Sequence, residues 1–323
     1  MSQPALKTEA AKPAIFIDGE AGTTGLGIRE RLAEMHDVEV KSIDPVLRKD
    51  PKARQAMMEA VDLVVLCLPD EASRETVALA DELGNRAPRI IDASTAYRVA
   101  PGWVYGFPEL TADQSSKIAN AERVANPGCY PTGALALLRP LVDAGVMSAD
   151  YPVTINAISG FSGGGKSMIE AWESGKSPQF ELYGLGLQHK HVPETQMHSG
   201  LTRRPIFVPS VGHFKQGMLV SVPLHLAMLK GASSSNDLRK LLADRYAGSR
   251  FVMVASEEET AALGNKLEPE AINGSNRLEL FVFGNDAHGH AVLVARLDNL
   301  GKGAAGAAVQ NLRLMLGLHE HTV

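Results

Sequence analysis

The chain has 323 residues, 45% of them hydrophobic, 21% charged and only 5% aromatic, with 30 glycines. That length fits one large or two ordinary domains, and that apolar share argues against general disorder. The formal net charge of -5 leaves no basic excess to attract nucleic acid or an acidic membrane, so an anionic small molecule must be held by local groups.

Residues 1–13 are polar and Ala-rich, with no apolar stretch of the kind a secretory leader carries, and are expected to form a disordered extension. Ala14–Asp18 reads as a buried strand. After a glycine loop, Ile28, Leu32 and Met35 recur at helical spacing. Strands are expected at 38–43 and 63–68, the second stopped by Pro69. A helix is expected over 71–83, ended by Gly84, and a further strand at Arg89–Asp92. Alternating strands and helices predict a doubly wound parallel sheet, an α/β domain. After about residue 130 strands are expected at 153–158, 207–209, 218–226, 251–255, 278–283 and 290–298. Few helices separate the later ones, which predicts a second, α+β domain. A closing helix is expected over 303–318. The run 63–68 is the longest strongly apolar one and far too short to span a bilayer.

Gly19, Gly22 and Gly25 follow the first strand and open the first helix, a GxxGxxG variant of the dinucleotide loop that also contains Thr23 and Thr24. Three glycines exceed what a plain turn needs, which favours a bound pyrophosphate at the helix N-terminus. Asp44, 44 − 19 = 25 residues after the first glycine, suits the ribose hydroxyls of NAD, while Arg48 and Lys49 suit the extra phosphate of NADP. The residues leave this choice open. Gly160 to Ser167 matches GxxxxGK[ST] at every fixed position and raises a competing reading, a P-loop nucleotide hydrolase. It lacks a convincing Mg²⁺-binding Asp at a later strand end.

Two cysteines cannot form a disulfide framework, and a reduced, cytoplasmic protein is expected. Cys67 lies in an apolar strand. Cys129 lies in NPGCYPTGA just before an apolar helix at 134–144, where the helix dipole should lower its pKa and Gly128 should leave room for a substrate. His189 and His191, two apart as on one side of a strand, supply acid/base groups of suitable pKa. Without CxxC or HExxH nearby, a metal site is not expected.

Taken together, IFIDGEAGTTG, LCLPD, IDASTAYR, YGFPEL, NPGCYPTGA, ISGFSGGGKSM, GLQHKHVPE and DNLGKGAAGAAVQNL resemble the N-acetyl-gamma-glutamyl-phosphate reductases in their shorter form, within the aspartate-semialdehyde-dehydrogenase-like superfamily. The likeness runs from residue 15 to the C-terminus. It implies an NADP-binding Rossmann domain over 14–130, completed by 299–323 as the last helix returns to it. It further implies an α+β catalytic and dimerisation domain over 131–298, and a homodimer or homotetramer. It implies NADP as cofactor, Cys129 as nucleophile, His189 or His191 as acid/base, and Arg98, Glu194 and Asn126 at the substrate. Gly19, Gly22, Thr23, Thr24, Gly25, Arg48, Ser162, Gly163 and Asn299 would then contact the cofactor. The implied reaction reduces N-acetylglutamyl 5-phosphate to its semialdehyde through a Cys129 thioester; aspartate-semialdehyde dehydrogenase is the nearest alternative. Arg313 departs from the Asn expected there, on a helix face expected to be exposed.

Overall fold

The computed structural model describes residues 12–318, so the stretch 1–11 of the expected extension lies outside the described residues, as does 319–323 of the tail. The first sheet is built from β1 (Ala14–Asp18), β2 (Glu39–Lys41), β3 (Leu63–Leu66), β4 (Arg89–Asp92), β5 (Val104–Tyr105) and β6 (Arg123–Ala125). All its pairings are parallel, in the order β2-β1-β3-β4-β6-β5. Side chains alternate across it. Ile15, Ile17, Leu63, Val65 and Ile91 face one side, where they meet α1 (Thr23–Ala33), α4 (Gln114–Asn120) and α10 (Gly306–Met315). Phe16, Val64, Leu66 and Ile90 face the other side and meet α2 (Pro51–Glu59) and α3 (Asp70–Asp81). Burial on both faces makes the central strand β3, LVVL, wholly apolar, whereas the edge strand β2 reads EVK and is only partly buried.

The last helix belongs to this first layer although it is last in sequence. Ala308, Leu312 and Met315 pack with Ile28 and Leu32 of α1. It begins with a π turn, Gly301–Ala305, rather than as a plain helix at 303. Arg313 corrects an expectation: it is buried, only 7% exposed, and its guanidinium bonds Asp37 at 3.1 Å.

The second sheet is mixed, in the order β11-β12-β13-β10-β7-β9-β8. Its strands are β7 (Thr154–Gly160), β8 (Phe180–Leu182), β9 (Ile206–Gly212), β10 (Met218–His225), β11 (Val252–Val254), β12 (Leu278–Asn285) and β13 (His290–Leu297). α5 (Cys129–Asp143) and α8 (Ser235–Arg245) lie on one face. There Leu135, Leu138, Leu238 and Leu242 meet Val220, Val222, Leu280, Val282 and Leu293. Each such fully buried side chain contributes roughly 1.5–3 kcal/mol.

The principal local difference from expectation is where α5 starts. It begins at Cys129, not at 134, because Pro131 falls in the first turn, where a missing N–H costs nothing. Pro140 sits inside the helix and cannot bond the carbonyl of Ala136; the Tyr246 hydroxyl donates to that oxygen instead, at 2.9 Å. Among the described residues no helix is long and apolar enough to cross a membrane.

Candidate active site

A cavity of about 340 Å³ opens where the two sheets meet. Thr23 and Thr24 reach it from the first turn of α1. Arg98, Asn126, Gly128 and Cys129 come from the chain between β4 and α5. Ser162 and Gly163 come from the turn after β7, His189 and His191 from the segment before β9, and Asn299 from the end of β13. Eleven of the residues expected from the sequence therefore line one cavity, although they are spread over almost 280 positions.

Cys129 is the first residue of α5, and the N–H groups of Cys129 and Tyr130 favour its thiolate. The expectation of a lowered pKa is nevertheless overturned. Burial outweighs both these N–H groups and the nearby Arg98 charge, and the thiol is pushed up to about 11. Cys67 lies one residue beyond β3 rather than within a strand. Burial, with Asp92 and Asp18 adding to it, pushes its thiol to about 12. Both sulfurs belong to half-buried residues, so the difference between them is electrostatic: Cys129 faces a cation and Cys67 faces two carboxylates.

Two glycines press on the nucleophile candidate. A Cβ on Gly128 would lie 2.6 Å from both the Arg98 guanidinium and His191 Nε2. Its missing side chain thus makes room for those two groups, not for a substrate as the sequence suggested. A Cβ on Gly303, in the π turn, would lie 2.9 Å from Cys129 Cβ. Gly303 was not singled out from sequence, because only the return of the C-terminal segment brings it there.

His191 opens α7 (His191–Ser199), and His189 stands in the loop before it, so the pair does not share a strand face. Their rings are 4.8 Å apart, and the His191 N–H donates to His189 Nδ1 at 3.2 Å. Burial pushes His189 down to about 4, with Lys190 adding to the shift. Burial, then Arg98, His189 and Lys190, pushes His191 well below the ordinary imidazole value. Both rings are therefore neutral at pH 7 and able to accept a proton. His191 Nδ1 is buried without a hydrogen-bond partner, an open polar atom beside the cavity. Among the described residues no three His, Cys, Asp or Glu side chains gather as metal ligands.

Glu194 does not line the cavity. One carboxylate oxygen accepts from the Tyr105 hydroxyl (2.7 Å) and the Gly128 N–H (2.8 Å), and the other from Arg98 Nη1 (3.1 Å). It positions Arg98 and the start of α5. Arg98 also donates to the carbonyls of Asn126 (3.0 Å) and Ala93 (3.1 Å). The Asn126 side chain is similarly engaged, donating to Ala304 O at 3.1 Å and accepting from Asn311 at 3.0 Å, which ties the π turn to the Cys129 loop. Tyr105 appears in a motif quoted above, but its role depends on a helix 89 residues later. Lys190, between the two histidines in sequence, also lies on the cavity wall.

The residues that would hold a dinucleotide fit one. Asn299 donates to Ser162 Oγ at 2.9 Å and accepts from the Gly217 N–H at 2.8 Å, which fixes the turn carrying Gly163. In the first glycine loop, Gly19 has φ +91°, and a Cβ there would meet the Cys67 carbonyl oxygen at 2.4 Å. A Cβ on Gly25 would meet the Gly19 carbonyl at 2.4 Å. These two glycines are required by the turn itself, contrary to the sequence argument. Gly22 is not: its added Cβ would make only an ordinary contact, and its φ of -81° suits any residue. Arg48 does not line the cavity. Asp44 caps its own loop, accepting from the Val46 N–H at 3.0 Å.

The P-loop reading fails on geometry. Lys166, at the start of α6 (Gly165–Glu173), points to solvent, 3.8 Å from Glu170 and 82% exposed, away from the cavity that its loop lines.

Residues 27–118 match the family model described as semialdehyde dehydrogenase, NAD binding domain, and residues 129–299 match semialdehyde dehydrogenase, dimerisation domain. Among solved structures, the chain superposes on aspartate semialdehyde dehydrogenase II of Vibrio cholerae with TM-score 0.73, covering 95% of this chain and 99% of that one at 16% identity. The Candida albicans enzyme with NADP gives TM-score 0.61 over 95% of this chain and 99% of that one, at 13% identity. Fold and family models together define a semialdehyde-dehydrogenase-type oxidoreductase that uses a nicotinamide cofactor. An N-acetyl-gamma-glutamyl-phosphate reductase of Brucella suis is 55% identical over 311 residues, 95% of this chain and 99% of its own. N-acetyl-gamma-glutamyl-phosphate reductase 2 of Nostoc sp. is 52% identical over 96% of this chain and 98% of its own. The chain belongs to the N-acetyl-gamma-glutamyl-phosphate reductase family.

Proposed function

We propose that the protein reduces N-acetylglutamyl 5-phosphate to N-acetylglutamate 5-semialdehyde, with release of phosphate, using NADPH. The observation that carries this reading is more than 50% identity with reductases of that name over nearly the whole of both chains. Likeness to aspartate-semialdehyde dehydrogenases stops at the fold, at 13–16% identity.

Cys129 is the nucleophile of this proposal. Its Sγ bonds to the acyl carbon, the bond from that carbon to the phosphate oxygen breaks, and a thioester remains on the enzyme. The thiol, pushed up to about 11 by burial, must lose its proton first; His191 or His189 is the neutral imidazole placed to take it, and although burial of both groups opposes the transfer, the Arg98 charge and the N–H groups at the start of α5 favour the thiolate side. When bound, the nicotinamide supplies the hydride that reduces the thioester. Gly22, Thr23, Thr24, Ser162, Gly163 and Asn299 would hold and aim that cofactor. The N–H groups at the start of α5 face oxyanion charge as it develops beside the sulfur. The protonated histidine gives its proton to that oxygen and takes it back as the carbonyl re-forms and the C–S bond breaks, which frees the aldehyde and the Cys129 thiolate. Arg98, buried and fixed by three hydrogen bonds, supplies the local positive field that an anionic substrate requires.

The reading extends to domain plan, assembly and location. The unit over 14–130, completed from 299 onward, binds the cofactor, and 131–298 supplies the subunit contact. The protein is a homodimer or homotetramer that pairs through the sheet face opposite α5, where Ile158, Leu219, Phe283 and Val292 are incompletely buried. It works in the cytoplasm, in keeping with two free thiols. The test is phosphate-dependent NADP⁺ reduction with N-acetylglutamate 5-semialdehyde, run beside aspartate semialdehyde. Turnover of the aspartate compound at an equal or higher kcat/KM would overturn the substrate assignment.

A further inference from the structure

Thr23 and Thr24 bring the N-terminus of α1 to the Cys129 cavity. A dinucleotide whose pyrophosphate rests on that terminus sends its other half over the glycine loop, toward the end of β2, the strand beside β1. Three polar side chains meet there. Arg29 Nη1 donates to Ser42 Oγ at 2.8 Å and also to Glu20 Oε2. Ser42 Oγ donates to the same Glu20 oxygen at 3.1 Å. Glu20 lies in the glycine loop, Arg29 on α1, and Ser42 is the first residue past β2. Arg48 and Lys49, the basic pair noted from sequence, bond to none of the three.

We propose that Arg29 and Ser42 form the subsite for the cofactor's 2′-phosphate, and that Glu20 is the internal anion the phosphate displaces. The inference rests on the NADP reading above and gives it a physical basis. A guanidinium and a hydroxyl converging on one anionic oxygen are the donors a phosphate monoester needs. The Glu20 carboxylate already uses them as such. Its side chain is 27% exposed and that of Arg29 48%, so exchanging one anion for another needs only side-chain rotation. NADH brings hydroxyls with no charge to compete for Arg29 and leaves the Arg29–Glu20 pair closed. NADPH brings a phosphate that outbids a single carboxylate. Glu20 and Arg29 together therefore set cofactor preference by competition, a role the sequence reading had given to Arg48.

The test is fluorescence titration of the full-length protein with NADPH and with NADH, with adenosine 2′,5′-bisphosphate and 5′-AMP as competitors that carry no nicotinamide. Arg29→Gln should weaken NADPH and the bisphosphate by roughly 10–100-fold, the usual range for a lost charge-assisted contact, and barely change NADH and 5′-AMP. Ser42→Ala should move in the same direction by less. Glu20→Gln should tighten NADPH, because no internal anion then competes with the phosphate for Arg29. Equal weakening of both dinucleotides by Arg29→Gln, weaker NADPH binding by Glu20→Gln, or loss of preference in Arg48→Gln instead would overturn the assignment. Equal affinity of the unaltered protein for NADPH and NADH would instead remove the NADP reading, before any variant is compared.

Discussion

Replacing Glu194 by Gln should destabilise the protein and yet make Cys129 more reactive. The carboxylate is 2% exposed and pairs with an Arg98 side chain that is 8% exposed, at 3.1 Å. Removing one partner of a buried pair leaves an uncompensated charge, at a cost of roughly 3–5 kcal/mol. The same carboxylate raises the Cys129 pKa, while Arg98 lowers it. Without Glu194 the Arg98 field acts alone, and the thiol must become more acidic. At pH 8 a thiol near pKa 11 is about one part in a thousand thiolate, so each unit of lowering raises the thiolate fraction about tenfold and speeds alkylation roughly three- to fourfold, because the less basic thiolate is also the weaker nucleophile. Arg98→Met breaks the same pair from the other side. It should cost comparable stability but slow alkylation of Cys129. Iodoacetamide labelling between pH 7 and 9.5, followed by peptide mass spectrometry with Cys67 as internal reference, separates the two signs; denaturant melts give the stability. If both variants changed alkylation in the same direction, the electrostatic account of this site would be wrong.

Four further outcomes are expected. Gly303→Ala puts a methyl 2.9 Å from Cys129 Cβ, and should lower kcat while costing about 1–3 kcal/mol of stability in a denaturant melt, with NADPH affinity little changed. Cys129→Ser should fold and bind NADPH but accumulate no thioester by mass spectrometry, whereas Cys67→Ser should keep turnover. His189 is lowered to about 4 and His191 lies well below the ordinary value, so below pH 6.5 the unfolded chain takes up protons that the folded one refuses. Stability should therefore be whole above pH 6.5 and fall as pH drops toward 4, by up to about 1.4 kcal/mol per pH unit for the buried His191 and by less for the partly exposed His189, whose charge water screens; His189→Gln should remove that smaller share of the slope in urea melts. Lys166→Ala should leave the protein without Mg²⁺-dependent ATP binding, as before the change, by equilibrium dialysis.

Local pattern carried most of the fold. Wholly apolar runs such as LVVL at 63–66, spaced by amphipathic stretches, can satisfy both faces only in a parallel sheet between two helix layers, and that period is written in the chain. Short, half-polar elements were not legible: β5 has two residues, α4 seven, and α2 is too charged to declare its buried Arg54 and Met58. The cavity residues were named from motifs, because Cys in a Gly/Pro turn and paired histidines are unusual enough to stand out. Their electrical state was not. The helix start argued for an acidic thiol, but desolvation depends on everything packed around Cys129, including Arg98, His191 and Gly303, which are 31, 62 and 174 residues away in sequence. The division between Glu194, which positions, and Arg98, which faces the cavity, likewise arises only when α7 docks against the loop before α5. Periodicity is a property of neighbours along the chain and so can be read from it. A pKa, a buried ion pair and the side a glycine leaves open are properties of neighbours in space, and only the folded structure decides them.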